Sequence, residues 1–291
     1  MKDPQLWISA IEIGCFFGLI ALAYLLILVG SGFFNFAIGP YAMLGGLSTS
    51  WLVVEHEVPV PLAMLVGIVL VIIVSAVTEL AVVRQVQKRA GKGELPALVA
   101  VSAVLFAVQQ GSGLIFGQRP LPGQQIVPVT PINVGSAVVY PSTFILIGTT
   151  VVFFIATALW MRSSRMGRLL RAVGDNKEAA AVLGLPVSRA RLTAFVLGGL
   201  IAAVAGILFS TKSGVAFTHG LGWTLTGFLA LVIGGTGRII GPLVGGLILG
   251  AIQVFVPFYL ASLGPQAAIF LLGLVFFAFK PEGIFTRKVR A

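Results

Sequence analysis

A series of long, uninterrupted apolar runs constrains the fold of this chain more than any other feature of its sequence. Roughly 20 apolar residues in a helix cross a hydrocarbon core about 30 Å thick. Hydrophobic residues make up 58% of the 291 residues and charged residues only 10%, whereas a soluble domain has about 25% charged residues. The chain therefore lacks the polar surface to enclose its apolar residues in water. We predict an all-α polytopic membrane protein that forms one transmembrane domain over residues 1–291.

Nine apolar segments are candidate membrane-spanning helices. The seventh and ninth are short, so we expect eight or nine transmembrane helices, some of them broken or re-entrant. All four tryptophans fall near predicted span ends, where amphipathic rings lie among the lipid headgroups. The predicted spans are Trp7–Val29, Phe34–Val54, Pro61–Val83, Leu95–Phe116, Ser142–Met161, Leu192–Ser210, Leu221–Gly234, Gly241–Leu260 and Pro265–Phe279.

Lysine and arginine are unevenly distributed among the segments that join these spans. Sixteen of the 19 lie on one side of the membrane, in the loops 84–92 and 162–191, at Arg238 and in the tail 280–290. Cytoplasmic loops of membrane proteins carry an excess of these residues. We therefore predict a cytoplasmic C-terminus and an N-terminus outside. The net charge of +10 is assigned to membrane topology, with no nucleic-acid partner.

Residues that could drive transport or catalysis within the membrane are scarce. Glu12 and Glu79 are the only acidic residues well inside apolar runs, and both are close to a span end, whereas ion-driven carriers hold ionisable groups near the midplane. The sequence has no G-x-x-x-x-G-K-[ST] loop for a nucleotide, no His or Cys pair at metal-ligand spacing and no Ser/His/Asp arrangement. We expect no enzyme activity, cofactor or metal, and we expect a transporter of this kind to obtain its energy from another subunit.

The loop between the fifth and sixth predicted spans, residues 163–190, contains a short helix with signals at both ends. Asp175 and Glu178 form a D-x-x-E pattern, close to the capping box that satisfies free N–H groups at a helix start. Gly184 permits the left-handed conformation that ends many helices, and the proline that follows prevents the helix from continuing. The helix predicted over 176–183 is too short to be stable alone in water, so we expect it to dock on a partner.

The side chains of this short helix suit a partner that approaches closely. Ala179, Ala180 and Ala181 form a small face, which lets a partner's backbone come near. Glu178 offers a carboxylate to an arginine or to a helix N-terminus of that partner. The flanking arginines are expected to hold the loop at the anionic inner surface of the membrane. These are Arg168, Arg171, Arg189 and Arg191.

Two glycine-rich stretches, 35–46 and 234–250, are unusual for helices in lipid. Pro40 removes a helix N–H and frees a carbonyl, and Gly39 loosens the turn. Such backbone is tolerated at membrane depth only where it is buried in protein or lines a wet cavity. Two interpretations stay open, namely close helix packing and the border of a translocation path. The candidate path residues are Asn35, Gly39, Pro40, Tyr41, Thr224, Thr226 and Thr236.

The pattern E-A-A-x-x-x-G over residues 178–184 resembles the EAA loop of ABC-transporter permeases, which docks into a cleft on a cytoplasmic ATPase. The longer segment 170–185 is similar to the branched-chain amino-acid permeases, specifically the H-type subunit. Ile38 stands where that family usually has a histidine. Three further stretches resemble the same family, and these are 35–46, 234–246 and 280–283.

The resemblance implies a permease subunit of an ABC importer in the bacterial plasma membrane, forming half of a path for branched-chain or other hydrophobic amino acids. It implies as partners two cytoplasmic ABC ATPase subunits, a second (M-type) permease subunit, and a periplasmic or lipid-anchored solute-binding protein. Alternatives are a permease for urea, short amides or a ribose-type sugar. From other classes, an ion-coupled carrier or channel acting alone and a structural membrane subunit also stay open. The resemblance assigns ATPase coupling to Asp175, Glu178, Ala179, Ala180 and Gly184.

Overall fold

The computed structural model describes residues 4–90, 94–125, 132–134, 137–259, 264–279 and 283–285. Lys92, the basic tail 286–291 and most of the family-like stretch 280–283 lie outside these residues. The described part is built almost entirely of helices. They are α1 (Pro4–Ser31), α2 (Ile38–His56), α3 (Val60–Val77), a π-helical segment (Thr78–Val83), α4 (Arg84–Ala90), α5 (Glu94–Phe116), α6 (Pro141–Ser163), α7 (Arg165–Asp175), α8 (Lys177–Val182), α9 (Val187–Ser213), α10 (His219–Gly234), α11 (Gly241–Tyr259) and α12 (Pro265–Phe279).

Six of the described helices are long and apolar enough to cross a membrane. These are Pro4–Ser31, Val60–Arg89, Leu95–Phe116, Pro141–Ser163, Val187–Ser213 and Gly241–Tyr259. The other three predicted spans fall on α2, α10 and α12, which are helical but less suited to crossing alone. Helices α10 and α12 have only 16 and 15 residues, and α2 is interrupted by glycine and hydroxyl residues. The all-α membrane fold predicted from the sequence is confirmed.

Helix α1 lies at the centre of the bundle and packs against α9, α10 and α11. Glycines make this packing possible, because a methyl group added to Gly246 or Gly250 would overlap the backbone of α1 at Gly14. A methyl group on Gly245 would instead overlap the backbone of α10 at Ala230. The glycines of α11 therefore serve two different helix contacts, Gly245 with α10 and the pair Gly246 and Gly250 with α1.

Helices α3, α5 and α6 lie at the outside of the single chain and expose large apolar side chains. Leu65 is 59% exposed on α3, Val99 71% on α5 and Val152 63% on α6. Apolar faces of this kind are stable next to lipid or another membrane subunit. The exposed surface thus agrees with the membrane environment that the apolar runs predict.

The helices connect two distinct ends of the bundle. At one end, called the hairpin end, the short antiparallel hairpin β1 (Ile132–Val134) and β2 (Ala137–Val139) lies beside the start of α1. There Lys212 Nζ lies 2.8 Å from Glu12 Oε2. The opposite end, called the α8 end, carries α4, α7 and α8. Of the 13 lysines and arginines in the described residues, 11 lie at the α8 end. These 11 are the described members of the set that was predicted to lie on one side of the membrane.

Candidate coupling surface and translocation path

The predicted short helix is present as α8, but its start differs from the prediction. The side chain of Asn176, not of Asp175, caps the helix, because its Oδ1 accepts the Ala179 N–H at 2.9 Å. Asp175 is the last residue of α7, and the chain first leaves helical geometry at Asn176, with φ −158° and ψ 102°. Helix α7 was not predicted from the sequence, and the cap of α8 was therefore predicted one residue too early. Asp175 is therefore not the capping residue.

The end of α8 has the geometry expected from the sequence. Gly184 has a φ of +73°, in the left-handed region. The Gly184 N–H donates to the Ala181 carbonyl at 3.1 Å, and the Leu185 N–H donates to the Ala180 carbonyl at 3.0 Å. This pair of bonds is a Schellman motif, which satisfies the last carbonyls of a helix. The helix is thereby fixed in length by its own sequence.

The two faces of α8 differ in what they offer to a partner. Ala180 is only 3% exposed and packs into the core of its own chain, so the prediction that it belongs to the outward face was wrong. Glu178, Ala179 and Ala181 are exposed. Val182 and Leu183, which were not among the predicted coupling residues, are 88% and 77% exposed. The sequence did contain a signal for this exposed surface. Two apolar residues directly precede the predicted end of a helix that is too short to have a core of its own.

The segment α7–α8 is anchored to the end of α1. Leu170 is fully buried beside Gly30, and a methyl group on Gly174 would lie 2.7 Å from Val29 Cγ1. The Lys177 ammonium donates to the Ser31 carbonyl at 3.3 Å. Because α1 is the central helix, these contacts connect the α7–α8 segment to the middle of the bundle.

A buried ion pair joins the start of α9 to the π-helical segment. Arg191 Nε lies 2.6 Å from Glu79 Oε1, with side chains 9% and 1% exposed, and Arg191 also donates to Gln87 Oε1. The prediction that Arg191 lies at the lipid surface was therefore wrong. Its partners are more than a hundred positions away in the sequence, so no local pattern could reveal the pair. π-Helical turns often occur at functional sites.

Five of the seven predicted path residues come together where α2 begins beside α10. Pro40 lies in the first turn of α2, at the start of the helix as predicted, where its missing N–H breaks no bond between helical residues. It does leave the Phe36 carbonyl unpaired within the helix, and Thr224 Oγ1 donates to that carbonyl at 2.9 Å. A methyl group on Gly39 would overlap the Gly220 carbonyl and the Thr224 backbone N. The freed backbone is thus buried in protein.

The polar side chains around this contact are also buried. The Tyr41 hydroxyl donates to Thr78 Oγ1 at 2.8 Å, which ties α2 to the π-helical segment. Asn35 is fully buried, and its Oδ1 accepts the Ala37 N–H at 3.0 Å. Within the described residues its Nδ2 has no hydrogen-bond partner. Gln109, which the sequence analysis missed, accepts the Leu221 N–H in the first turn of α10 at 2.9 Å.

The two remaining path candidates lie apart from this contact. Thr226 is partly exposed and its hydroxyl donates within α10 to the Gly222 carbonyl at 3.0 Å. Thr236 is exposed at the α8 end, in the loop between α10 and α11. The structure therefore brings together Asn35, Gly39, Pro40, Tyr41 and Thr224 and separates the other two.

A family model described as the permease component of the branched-chain amino acid transport system matches residues 9–279. The chain belongs to this family. It is 28% identical to the high-affinity branched-chain amino acid transport system permease protein LivH of Salmonella typhimurium, over 97% of this chain and 95% of that protein. The corresponding protein BraD of Pseudomonas aeruginosa is also 28% identical, with the same coverage. The family predicted from the sequence is confirmed.

Two further similarities cover either less of the chain or the fold alone. The ribose import permease protein RbsC of Escherichia coli is 36% identical over 34% of this chain and 33% of its own length. A solved structure of PsaBC from Streptococcus pneumoniae in complex with Fab aligns with a TM-score of 0.53 at 14% identity, over 95% of this chain and 91% of that chain. The latter supports the arrangement of helices described above.

Proposed function

We propose that this chain is the H-type permease subunit of an ATP-driven importer of branched-chain or other hydrophobic amino acids in the bacterial plasma membrane. The observation that carries this proposal is α8, which is capped at both ends, anchored on α1 and exposed along Glu178, Ala179, Ala181 and the apolar pair Val182–Leu183. A helix of six residues is too short to be stable alone in water, and the exposed apolar end of α8 suits a partner surface. That partner is a cytoplasmic ABC ATPase subunit.

The amino-acid substrate is supported by the extent of the similarities. The relatives that match nearly the whole chain are named as branched-chain amino acid permeases, whereas the ribose permease matches only about a third of it. A sugar-type permease and a permease for urea or short amides stay as alternatives within transport. The buried position of Ile38 supports a role in packing α2, not contact with cargo.

The proposed coupling mechanism follows two physical connections from α8. One runs through α7, whose Leu170 and Gly174 pack against the end of α1. The other runs through α9, whose Arg191 binds Glu79 at the end of α3. When ATP binding moves the ATPase subunits, α8 shifts both the central helix and α3. The translocation path then opens alternately to the two sides of the membrane. In this mechanism Glu178 and Ala179 contact the ATPase and Gly184 fixes the end of the helix.

The proposed assembly contains one further permease subunit of M-type, two ATPase subunits and a periplasmic or lipid-anchored solute-binding protein. The 11 described cations at the α8 end support a cytoplasmic location for that end. This orientation places the N-terminus outside and the C-terminus in the cytoplasm. We keep eight or nine spans, since α2, α10 and α12 add to the six clear candidates.

The test is to purify the complex from cells that express Glu178→Arg and to measure how much ATPase subunit remains bound. We expect the variant to insert normally and to lose most of the bound ATPase, because the reversed charge opposes docking. Glu55→Arg is the matched control, because Glu55 is exposed near the C-terminal end of α2. We expect this variant to retain the bound ATPase. Transport by this chain alone, in liposomes without an ATPase, would overturn the proposal.

A further inference from the structure

An open cavity of about 930 Å³ lies at the α8 end, away from the α2–α10 contact. Its walls come from the last turns of α1 and α6, from α7 and from the loop between α10 and α11. Ligand sites in proteins typically have volumes of about 300–1,000 Å³. The cavity is therefore large enough for a ligand, and the proposed coupling mechanism assigns it none.

The walls that α1 and α6 contribute to the cavity are apolar. Leu25, Leu28 and Val29 line it from α1, and Phe154 and Ile155 line it from α6. Both helices are membrane spans by length and composition. Ile155 is 54% exposed, so the wall is accessible from the side of the bundle. An aliphatic chain lying there exchanges lipid contacts for protein contacts without exposing apolar surface to water.

The rim of the cavity is positively charged. Arg162, Arg171 and Arg238 line it, against a single carboxylate, Asp175, so two positive charges are in excess. Among the described residues, Arg162 and Arg171 take part in no ion pair. Arg238 lies over the ring of Phe285 with 5.7 Å between the guanidinium carbon and the ring centroid. Guanidinium groups bind phosphate oxygens in bidentate geometry.

We propose that this cavity binds an anionic glycerophospholipid, with an acyl chain against α1 and α6 and the phosphate among the three arginines. Basic pockets between transmembrane helices bind anionic lipid headgroups for the same physical reason. A free anion would use the rim but not the apolar walls, whereas a phospholipid uses both. Because α7 contributes Arg171 and Gly174 to the cavity, a bound lipid also supports the α7–α8 segment. This inference does not depend on which solute is transported or on the ATPase.

The first experiment measures lipid binding to the purified complex by native mass spectrometry. The complex is delipidated and supplied with phosphatidylglycerol or with phosphatidylcholine of the same acyl chains. We expect the triple variant Arg162→Gln, Arg171→Gln, Arg238→Gln to bind phosphatidylglycerol at least about tenfold more weakly. The matched control is Arg89→Gln, Arg165→Gln, Arg189→Gln, which removes three exposed arginines at the same end without touching the cavity. An equal loss in both triples would overturn the proposal in favour of general surface attraction.

The second experiment separates lipid from free phosphate and from a protein partner. Ala158→Trp fills the apolar wall and leaves every charge in place. We expect it to weaken phosphatidylglycerol binding about as much as the arginine triple, and we expect inorganic phosphate not to displace the lipid. Unchanged lipid binding by Ala158→Trp, together with displacement by phosphate, would contradict the lipid site. A cross-link from Ile155→Cys to another subunit in the native membrane would contradict it as well, because the cavity would then be a protein interface.

Discussion

The α7–α8 segment and the α2–α10 contact both depend on small residues, but the small residues face different surroundings. On α8, Ala179 and Ala181 face outward, beside the exposed Val182 and Leu183. At the start of α2, Gly39 faces the Gly220 carbonyl so closely that not even a methyl group fits. Small residues thus mark close approach of a backbone in both places. At α2 that backbone belongs to the chain itself, and at α8 we infer that it belongs to a partner.

Under the proposed mechanism, this difference separates a contact that holds the permease together from the segment through which the ATPase moves it. The α2–α10 contact is closed by backbone packing and by the bond from Thr224 to Phe36. A solute can pass there only if the two helices separate. The α7–α8 segment contacts the end of α1 through Leu170, Gly174 and Lys177, and its Ala180 is buried in the core. In the proposed mechanism the exposed face of α8 receives the movement of the ATPase subunit, and these contacts pass it to α1.

The largest effect on stability is expected at the buried ion pair between Arg191 at the start of α9 and Glu79 in the π-helical segment. Arg191→Met leaves the Glu79 carboxylate buried without its cation, which costs about 3–5 kcal/mol of folding free energy. We expect the double variant Glu79→Met, Arg191→Met to recover most of that stability, since no charge is left buried. Thermal unfolding in lipid nanodiscs measures the stability of the single and the double variant. If the double variant keeps its stability but loses solute-stimulated ATP hydrolysis, the pair transmits movement in addition to holding the fold.

A smaller loss of folding free energy is expected when a substitution forces α2 and α10 apart. Gly39→Ala places a methyl group against backbone atoms of α10, and overpacking of this kind costs about 1–3 kcal/mol. Gly222→Ala is the control, because a methyl group on Gly222 meets no other atom within 4 Å. We expect a lower melting temperature for the first variant and an unchanged or higher one for the second. Equal melting temperatures would mean that α2 and α10 are not in contact in the membrane.

The smallest effect on stability is expected from removing the side chain that caps α8. Asn176→Ala removes the acceptor of the Ala179 N–H and costs about 1 kcal/mol of helix stability. We expect faster amide hydrogen exchange over residues 177–183 and little change elsewhere. Asp175→Asn, one position earlier, should leave the exchange of the Ala179 amide unchanged. The reverse pattern would restore the capping role that the sequence pattern suggested for Asp175.

The sequence was sufficient to predict the features that depend on local order. Long apolar runs predicted the helices, because the lipid core requires them, and Gly184 predicted the end of α8 from its tolerance of the left-handed region. Helix α7 was missed because it is short and rich in arginine, with no apolar run to mark it. Its omission led directly to the error at Asp175.

Features that depend on distant partners could not be predicted. Arg191 was assigned to the lipid surface because nothing near it in the sequence indicates Glu79 or Gln87. Ala180 was assigned to the partner-facing side because three consecutive alanines do not reveal which one faces inward. The path candidates were chosen by polarity, and only the packing of α2 against α10 separates Thr224 from Thr226.

The most direct test of the proposed coupling role is a cysteine cross-link from the exposed apolar end of α8. The only native cysteine, Cys15, is buried, so Cys15→Ser gives a suitable background. In that background we expect Val182→Cys to cross-link to an ATPase subunit, with a yield that changes when ATP is bound. Val138→Cys, exposed at the hairpin end, should give no such product. Labelling of Val182→Cys only by a reagent applied from outside the cell, with no cross-link to an ATPase, would contradict the role of α8 as the coupling helix.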